Sequence, residues 1–522
     1  MSQHATSDKN PPAHATSAAT DNATDAVPAA RPPLREPTEK NAKIVATIGP
    51  ASADEATLRR LIAAGLDVVR LNLSHGSHEF HASIVRRIRS LNDELGTFVP
   101  VIFDLMGPRF RLGQIADGPR PLQVGQEVTL GAGDVDLPVE DPGFIDHLRR
   151  GERVLVDNGL IELEVIDKQG SRVKTGVLHG GAVSTRKGIN LPDTELPFTI
   201  SEKDCADIAF AVREKADYVA VSFVGGPEDL EAIRGVMSEH KGLIPLISKL
   251  ERAKVLERLE ATVRSSDAVM VARGDLGVEV PIHKVPVIQK QIIDTGRQWG
   301  KPVIVATQML ESMMQQPRPT RAEASDVANA VFDGADALML SGETAAGDFP
   351  VEAVTTMSRM IQEAEDYRQP KAFHLKSQDA RLLEPLKTER AYLTKRDVHL
   401  EIPEVVSSSA VHAASELDVK QIVAFSQGGF TARMIARYRP HTSLLVFTQE
   451  VRVARRVQLV WGAQPVIIDY EVSHHDEVVK VVDRVLVERD LARPGDTIII
   501  LMGDPIGQRP LTNLMRVHRV RA

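Results

Sequence analysis

From Lys43 onward the chain alternates short, nearly continuous apolar runs with longer segments whose apolar residues return every three or four positions. The short runs are Lys43–Ile48, Asp67–Leu73, Val99–Leu105, Tyr218–Phe223, Ile244–Leu250, Ala268–Ala272, Pro302–Ala306 and Ala337–Leu340. Apolar strands separated by helices are what a parallel sheet covered on its outside requires. Ile84, Val85, Ile88, Leu91 and Leu95 make one stripe at helical spacing. Thr320 and Glu323 form a capping box ahead of Ala328, Val331 and Phe332. Eight strand–helix units predict an α/β fold, a closed (β/α)8 TIM barrel with its reactive groups at the strands' C-terminal ends.

Two interruptions divide the chain. More than a hundred residues separate Asp104 from Tyr218, far beyond a normal crossover. Within them Arg153–Val165 reads as a hairpin around Asp157-Asn158-Gly159. Residues 112–185 are therefore expected to form an inserted β-rich lid over a barrel made of 41–111 and 186–360. Beyond 360, the runs Gln421–Phe425, Ser443–Phe447, Pro465–Ile468 and Thr497–Leu501 predict a second, smaller α/β domain in three layers over 361–522. Residues 1–40 are rich in Ala, Pro, Thr, Ser and Asp and cannot bury enough surface to offset ordering, so they read as a disordered tail.

Composition narrows the function. With 522 residues, 43% hydrophobic and 26% charged, the chain has material for a large core. Its 63 basic and 71 acidic residues leave a net charge of −8, which argues against a nucleic-acid or anionic-membrane binder. Aromatics at 4% leave little for base stacking. The single Cys205 excludes an internal disulfide framework and a cysteine metal cluster. No apolar run is long enough for a membrane span, and a cytoplasmic location is expected.

The strand ends carry the chemistry: Arg70, Asn72 and Ser74; Asp104; Ser222; Lys249 and Glu251; Arg273 and Asp275; Thr307 and Gln308; Ser341 and Glu343. Glu251 and Asp275 end neighbouring strands, and oxygen ligands there suit Mg²⁺. Helix-capping or ion-pairing acids would look the same, and spacing does not separate the two readings. Lys249 and Glu251 are two apart, so on a strand both face one side. An ammonium beside a metal suits phosphoryl transfer, where catalysis is mostly positioning and charge neutralisation. Ala272-Arg273-Gly274-Asp275 is a turn able to present backbone N–H groups to an anion.

The runs Leu71–Gly76, Arg186–Pro192, Met270–Pro281, Ala306–Met313, Pro319–Glu323 and Met339–Ala345 resemble pyruvate kinase, in that family's order. The resemblance implies phosphoryl transfer from phosphoenolpyruvate to ADP, giving pyruvate and ATP, in a homotetramer. It implies that Arg70 and Lys249 hold the transferring phosphoryl group, and that Glu251 and Asp275 bind Mg²⁺ or Mn²⁺. Amides of Ala272, Arg273, Gly274 and Asp275 would receive the substrate carboxylate. Arg111 and Lys187, with Asn72 and His75, would meet the nucleotide. Thr307, Ser341 and Glu343 would relay a proton to the enolate. Asn72, Ser74, Asp104 and Leu105 match the family's monovalent-cation pocket.

The chain also departs from the pattern. The family's Asp-Thr-Lys-Gly-Pro-Glu is here Asp104-Leu105-Met106-Gly107-Pro108-Arg109. A tethered Arg109 would disfavour K⁺ by repulsion, so K⁺ is expected not to be required. Ser426, Gly428, Gly429 and Thr431 stand where allosteric members cradle a phosphate, with one hydroxyl missing. A sugar-phosphate or nucleotide effector and an ordinary tight turn both remain readings of that loop. His75, His78 and His81 are not expected to hold zinc. Cys205 is read as a packed residue and Arg452–Arg456 as a solvated helix face. A different phosphoenolpyruvate- or pyruvate-acting barrel enzyme and a non-catalytic ligand-sensing relative are the alternatives.

Overall fold

The structure, a computed structural model, describes residues 40–108, 110–116, 118–368, 398–469, 474–504 and 511–522. The expected tail, apart from Lys40, and Arg109 lie outside the described residues.

Eight parallel strands close into a barrel, each hydrogen-bonded to the next in the chain and the last to the first. They are Lys43–Thr47, Val68–Asn72, Val101–Asp104, Tyr218–Val221, Leu246–Leu250, Ala268–Ala272, Val303–Ala306 and Ala337–Leu340, called first to eighth below. All lie inside the runs expected from sequence. Alternate side chains serve two cores: Val45, Ile102 and Ile304 pack in one cluster, while their neighbours Ile44, Val101 and Val303 pack in another with the helices. The Thr320–Glu323 capping box is present, with each side chain bonded to the other residue's backbone N–H.

One residue of the inner cluster comes from the C-terminal domain. Leu459 is fully buried among the strands' inward side chains. Lys43 Nζ donates to the Ala463 carbonyl and the Tyr218 hydroxyl to the Arg456 carbonyl, both at 3.0 Å. Lys43 and Tyr218 each begin a strand, so residues 456–463 close the barrel at its N-terminal end. Beside them the fully buried Asp217 accepts from Arg89 and Arg455, each at 2.8 Å, and from the Val101 amide at 2.9 Å. Arg455 is therefore a bridge between domains and not part of a solvated face, which corrects the sequence reading of Arg452–Arg456.

The insertion folds as a seven-stranded sheet and a separate two-stranded one over its own core. The hairpin joins Arg153–Val156 to Ile161–Gln169, with Asp157, Asn158 and Gly159 all at positive φ as the turn demands. Leu160 belongs to the turn and is exposed. The sheet reaches beyond 112–185, because Phe110–Arg111 pairs with Gly188–Asn190 across the neck of the insertion.

The C-terminal sheet has five strands, in the order Ala463–Ile467, Ser443–Thr448, Gln421–Phe425, Thr497–Met502 and Leu514–Arg519. Ile422, Ala424, Leu444 and Val446 pack with helices Phe430–Ala436 and Val451–Val457, and Val423, Phe425, Leu445 and Phe447 with helix His475–Glu488. Three layers result. The last strand is antiparallel and was not anticipated, since Arg516, His518 and Arg519 break its apolar pattern. The expected boundary at 360 falls inside helix Pro350–Arg368, whose Glu365 accepts the Asn41 and Ala42 amides at 2.7 Å. That helix is tied to the first barrel strand along its length. Among the described residues no helix is long and apolar enough to cross a membrane.

Leu459→Ala should cost about 3 kcal/mol in urea unfolding of the barrel, because the truncation leaves a cavity that rigid strands cannot fill. The catalytic constants should change little, since the site lies at the opposite end.

Candidate active site

Four charged side chains meet at the C-terminal ends of the second, third and fifth strands. Arg70 Nε donates to Asp104 Oδ2 at 2.7 Å and Arg70 Nη1 to Thr47 Oγ1 at 2.8 Å. Lys249 Nζ lies 2.8 Å from Glu251 Oε1 and 3.4 Å from Asp104 Oδ1, and donates to Ser222 Oγ at 2.8 Å. All four residues are buried. Alternation along the fifth strand brings Lys249 to the centre, and the Phe223 amide fixes Glu251 Oε2 at 2.7 Å.

Burial and mutual attraction compete here. Burial works against the charge of Asp104, but Lys249 and Arg70 outweigh it and hold this carboxyl below the usual range. For Lys249 burial is likewise overcome, by Asp104 and Glu251, and its ammonium titrates above the ordinary value. Burial wins at Glu251, and with the help of nearby Asp275 pushes it up to about 7. A divalent cation beside Glu251 would favour its ionised form. Glu251 Oε1 is buried with the Lys249 ammonium beside it, and Asp275 lines the adjoining cleft. Two hard oxygen donors with room for water and phosphate oxygens fit Mg²⁺. Among the described residues no group of three or more His, Cys, Asp or Glu side chains is placed to hold a metal ion. His78 instead pairs with Asp207 at 2.7 Å and stacks on Phe210.

The seventh strand ends in strained backbone. Thr307 and Gln308 have φ of 69° and 53°, costly for a β-branched residue such as Thr307. Thr307 Oγ1 accepts the Gly274 amide at 2.8 Å and donates to the Ala306 carbonyl at 2.6 Å. Arg273 holds the same turn through the Thr307 carbonyl at 2.6 Å and is ion-paired with Asp326 at 2.6 Å. The guanidinium of Arg273 is thus a brace for Thr307. The Gly274 amide is also engaged, whereas those of Ala272 and Asp275 have no such side-chain acceptor. Glu343 accepts the Ser341 amide at 2.7 Å and the Leu310 amide at 3.1 Å. Both its oxygens therefore hold loops, and among the described residues it shares no hydrogen bond with Thr307.

A cleft of about 250 Å³ separates the barrel mouth from the insertion. Arg111, Lys187, Asp157, Asn158, Phe223, Arg252 and Asp275 are among its walls. Lys187 pairs with Asp157 at 2.9 Å and Arg111 donates to the Arg186 carbonyl at 3.2 Å. Asn72 ends the second strand, Ser74 and His75 follow it, and none of the three lines this cleft; Asn72 Oδ1 accepts the Ser74 amide at 3.1 Å. Leu105 is buried, and its carbonyl accepts the Ser222 hydroxyl at 2.8 Å. Sequence reasoning assigned no role to Ser222, which sits between Leu105 and Lys249, nor to Arg252. Each falls just past a strand end, the one signal that pointed to it.

Comparison with known proteins decides the family. Residues 39–354 match the family described as pyruvate kinase, barrel domain, and 404–518 match pyruvate kinase, alpha/beta domain. The chain belongs to the pyruvate kinase family. It is 41% identical to a pyruvate kinase of Corynebacterium efficiens, over 92% of this chain and 98% of that protein. It is 40% identical to one of Staphylococcus aureus, over 92% of this chain and 80% of that protein. A pyruvate kinase structure from Cryptosporidium parvum superimposes with a TM-score of 0.82 at 33% identity, covering 94% of this chain and 98% of that one. A pyruvate kinase is a phosphotransferase, and the family generally needs a divalent metal.

Ser222→Ala should lower kcat about tenfold by releasing one of the bonds that orient Lys249, with a smaller change in KM for substrates. Steady-state rates checked against far-UV circular dichroism measure this with folding controlled.

Proposed function

We propose that the chain catalyses transfer of the phosphoryl group of phosphoenolpyruvate to ADP, giving pyruvate and ATP. The observation that carries the reading is the buried pair of cations, Arg70 and Lys249, set against Glu251 and Asp104 at one barrel rim. The bond from phosphorus to the enolic oxygen breaks, and one to a terminal β-phosphate oxygen of ADP forms. Arg70 and Lys249 neutralise charge on the phosphoryl oxygens as they pass between the two. Glu251 and Asp275 would hold Mg²⁺ or Mn²⁺, which when bound supplies Lewis-acid neutralisation of phosphate oxygens.

The amides of Ala272 and Asp275 favour an anionic end of the substrate, and Thr307, held strained beside them, faces the enolate carbon. Pyruvate forms when that carbon gains a proton, delivered from water on the Thr307 side. Glu343 and Ser341 hold the loop that keeps Thr307 in place. Arg111 and Lys187 take the nucleotide phosphates, with Asn72 and His75 at the edge of that region. The insertion shields the reaction from water when it closes on the cleft.

By resemblance to the family, Asn72, Ser74, Asp104 and Leu105 would take a monovalent cation, and the chain carries Arg109 where the family has a glutamate. We infer that this arginine makes K⁺ dispensable. Ser426, Gly428, Gly429 and Thr431 support a phosphate-bearing effector, with Gly429 at φ 76° and Thr431 bonded to Thr512 at 2.8 Å. Exposed Ile402 and Val405 on helix Val398–Glu416 favour a homotetramer with apolar contacts, acting in the cytoplasm.

A coupled assay for pyruvate with phosphoenolpyruvate, ADP and Mg²⁺ tests the reading. The rate should need ADP and be equal in KCl and tetramethylammonium chloride. Lys249→Met should lose about a thousandfold in kcat. Pyruvate formation without ADP would favour another barrel enzyme, and strong activation by KCl would contradict the role of Arg109.

A further inference from the structure

Away from the catalytic rim, the interface between barrel and C-terminal domain concentrates positive charge. Arg297, from the end of helix Val285–Gln298, and Lys301 in the turn before the seventh strand approach Arg433, Arg437 and Arg439. They surround a small pocket of about 10 Å³, room for about one water-sized oxygen, that opens to solvent. The one acid in its wall is Asp336. Asp336 is already spent: it accepts from Arg439 at 3.0 Å, the Val303 amide at 3.0 Å and the Trp461 amide at 3.2 Å.

Three of the other cations, Lys301, Arg433 and Arg437, have no acid left among the pocket walls to pair with. Among the described residues neither Lys301, Arg433 nor Arg437 forms an ion pair. Lys301 Nζ donates to the Ser266 carbonyl, and Arg433 to the Gly428 carbonyl at 3.4 Å. Arg437 is 7% exposed, its guanidinium lies beside the Tyr438 ring, and it has no hydrogen-bond acceptor. Burial, with Arg433 alongside, pushes the Lys301 ammonium down to about 8. A folded protein seldom takes a cation out of water without a partner, because its desolvation is then uncompensated; Arg437 is buried, and Lys301 and Arg433 are half-buried. In a chain of net charge −8 the concentration is not a consequence of overall composition.

We propose that this pocket binds a phosphate-class oxyanion between Lys301, Arg433 and Arg437, clamping the Gly300–Pro302 turn of the barrel to helix Phe430–Ala436. A tetrahedral oxyanion offers several acceptors to donors that converge from two domains, and guanidinium groups match its edges. Gly300 permits the approach: it has φ of 60°, and a Cβ there would lie 3.3 Å from Met434 Sδ. The helix that is clamped begins directly after the Ser426–Gly429 loop, so the anion would order both ends of that segment. The site lies at the barrel's other end, and its failure would leave the catalytic reading untouched.

Calorimetric titration of the full chain with inorganic phosphate, against sodium chloride at matched ionic strength, provides the test. Wild type should bind, Lys301→Met should bind about tenfold more weakly, and Lys301→Arg should recover most of the affinity. Arg437→Gln gives a second, independent loss. Lys301→Met deletes a half-buried charge without stranding an acid, so it should fold and retain catalysis. Glycerol 3-phosphate as titrant separates the sources: binding by both ligands assigns the phosphoryl group of a metabolite, and binding of inorganic phosphate alone assigns the free ion. Equal phosphate affinity in wild type and Lys301→Met, or no binding in wild type, overturns the proposal.

Discussion

The barrel rim is organised by one dry ion pair, Lys249 with Glu251, 2.8 Å apart and both buried. Neither partner could stay charged at that depth alone, because desolvation would neutralise it. Asp104 makes the ammonium permanent, and Arg70 in turn makes Asp104 permanent. Glu251 is the least firmly charged of the set, raised to about 7 although Lys249 and the Phe223 amide both donate to it. Positive charge is thus preorganised at the rim where Glu251 is proposed to ligate the metal.

Such a cluster survives only on a rigid support. Strand alternation turns Arg70, Asp104 and Lys249 toward the same rim, and the C-terminal domain closes the other end through Leu459, Lys43 and Tyr218. Strain at Thr307 is tolerated because Arg273, anchored on Asp326, and the Gly274 amide hold it from two sides. The cost of positive φ at a threonine is therefore carried by its neighbours. Both domains contribute to stability, but the reacting groups all belong to the barrel and the cleft beneath the insertion.

Much of this was legible in the sequence. The eight strands were readable because buried parallel strands are continuously apolar, and the Thr320–Glu323 cap because its chemistry is local. Positions such as Lys249 and Glu251 followed from strand ends and a spacing of two. The role of Arg273 did not, since nothing local shows that its guanidinium turns toward Asp326, more than fifty residues on. Leu459 reads as one more helix-flanking leucine, and its place inside the barrel exists only through tertiary closure. Arg455 misled for the same reason, its partner Asp217 being distant in the chain. The edge strand Leu514–Arg519 was missed because one face of it is charged and its pattern resembles a surface loop.

The central claim is that Glu251 is held ready for a divalent cation by the charges around it. Mn²⁺ binding to the full chain, followed by electron paramagnetic resonance without substrates, measures this apart from turnover. Glu251→Gln should weaken binding by about a hundredfold or more while leaving the fold intact by circular dichroism. Undiminished Mn²⁺ affinity in that variant would contradict the account.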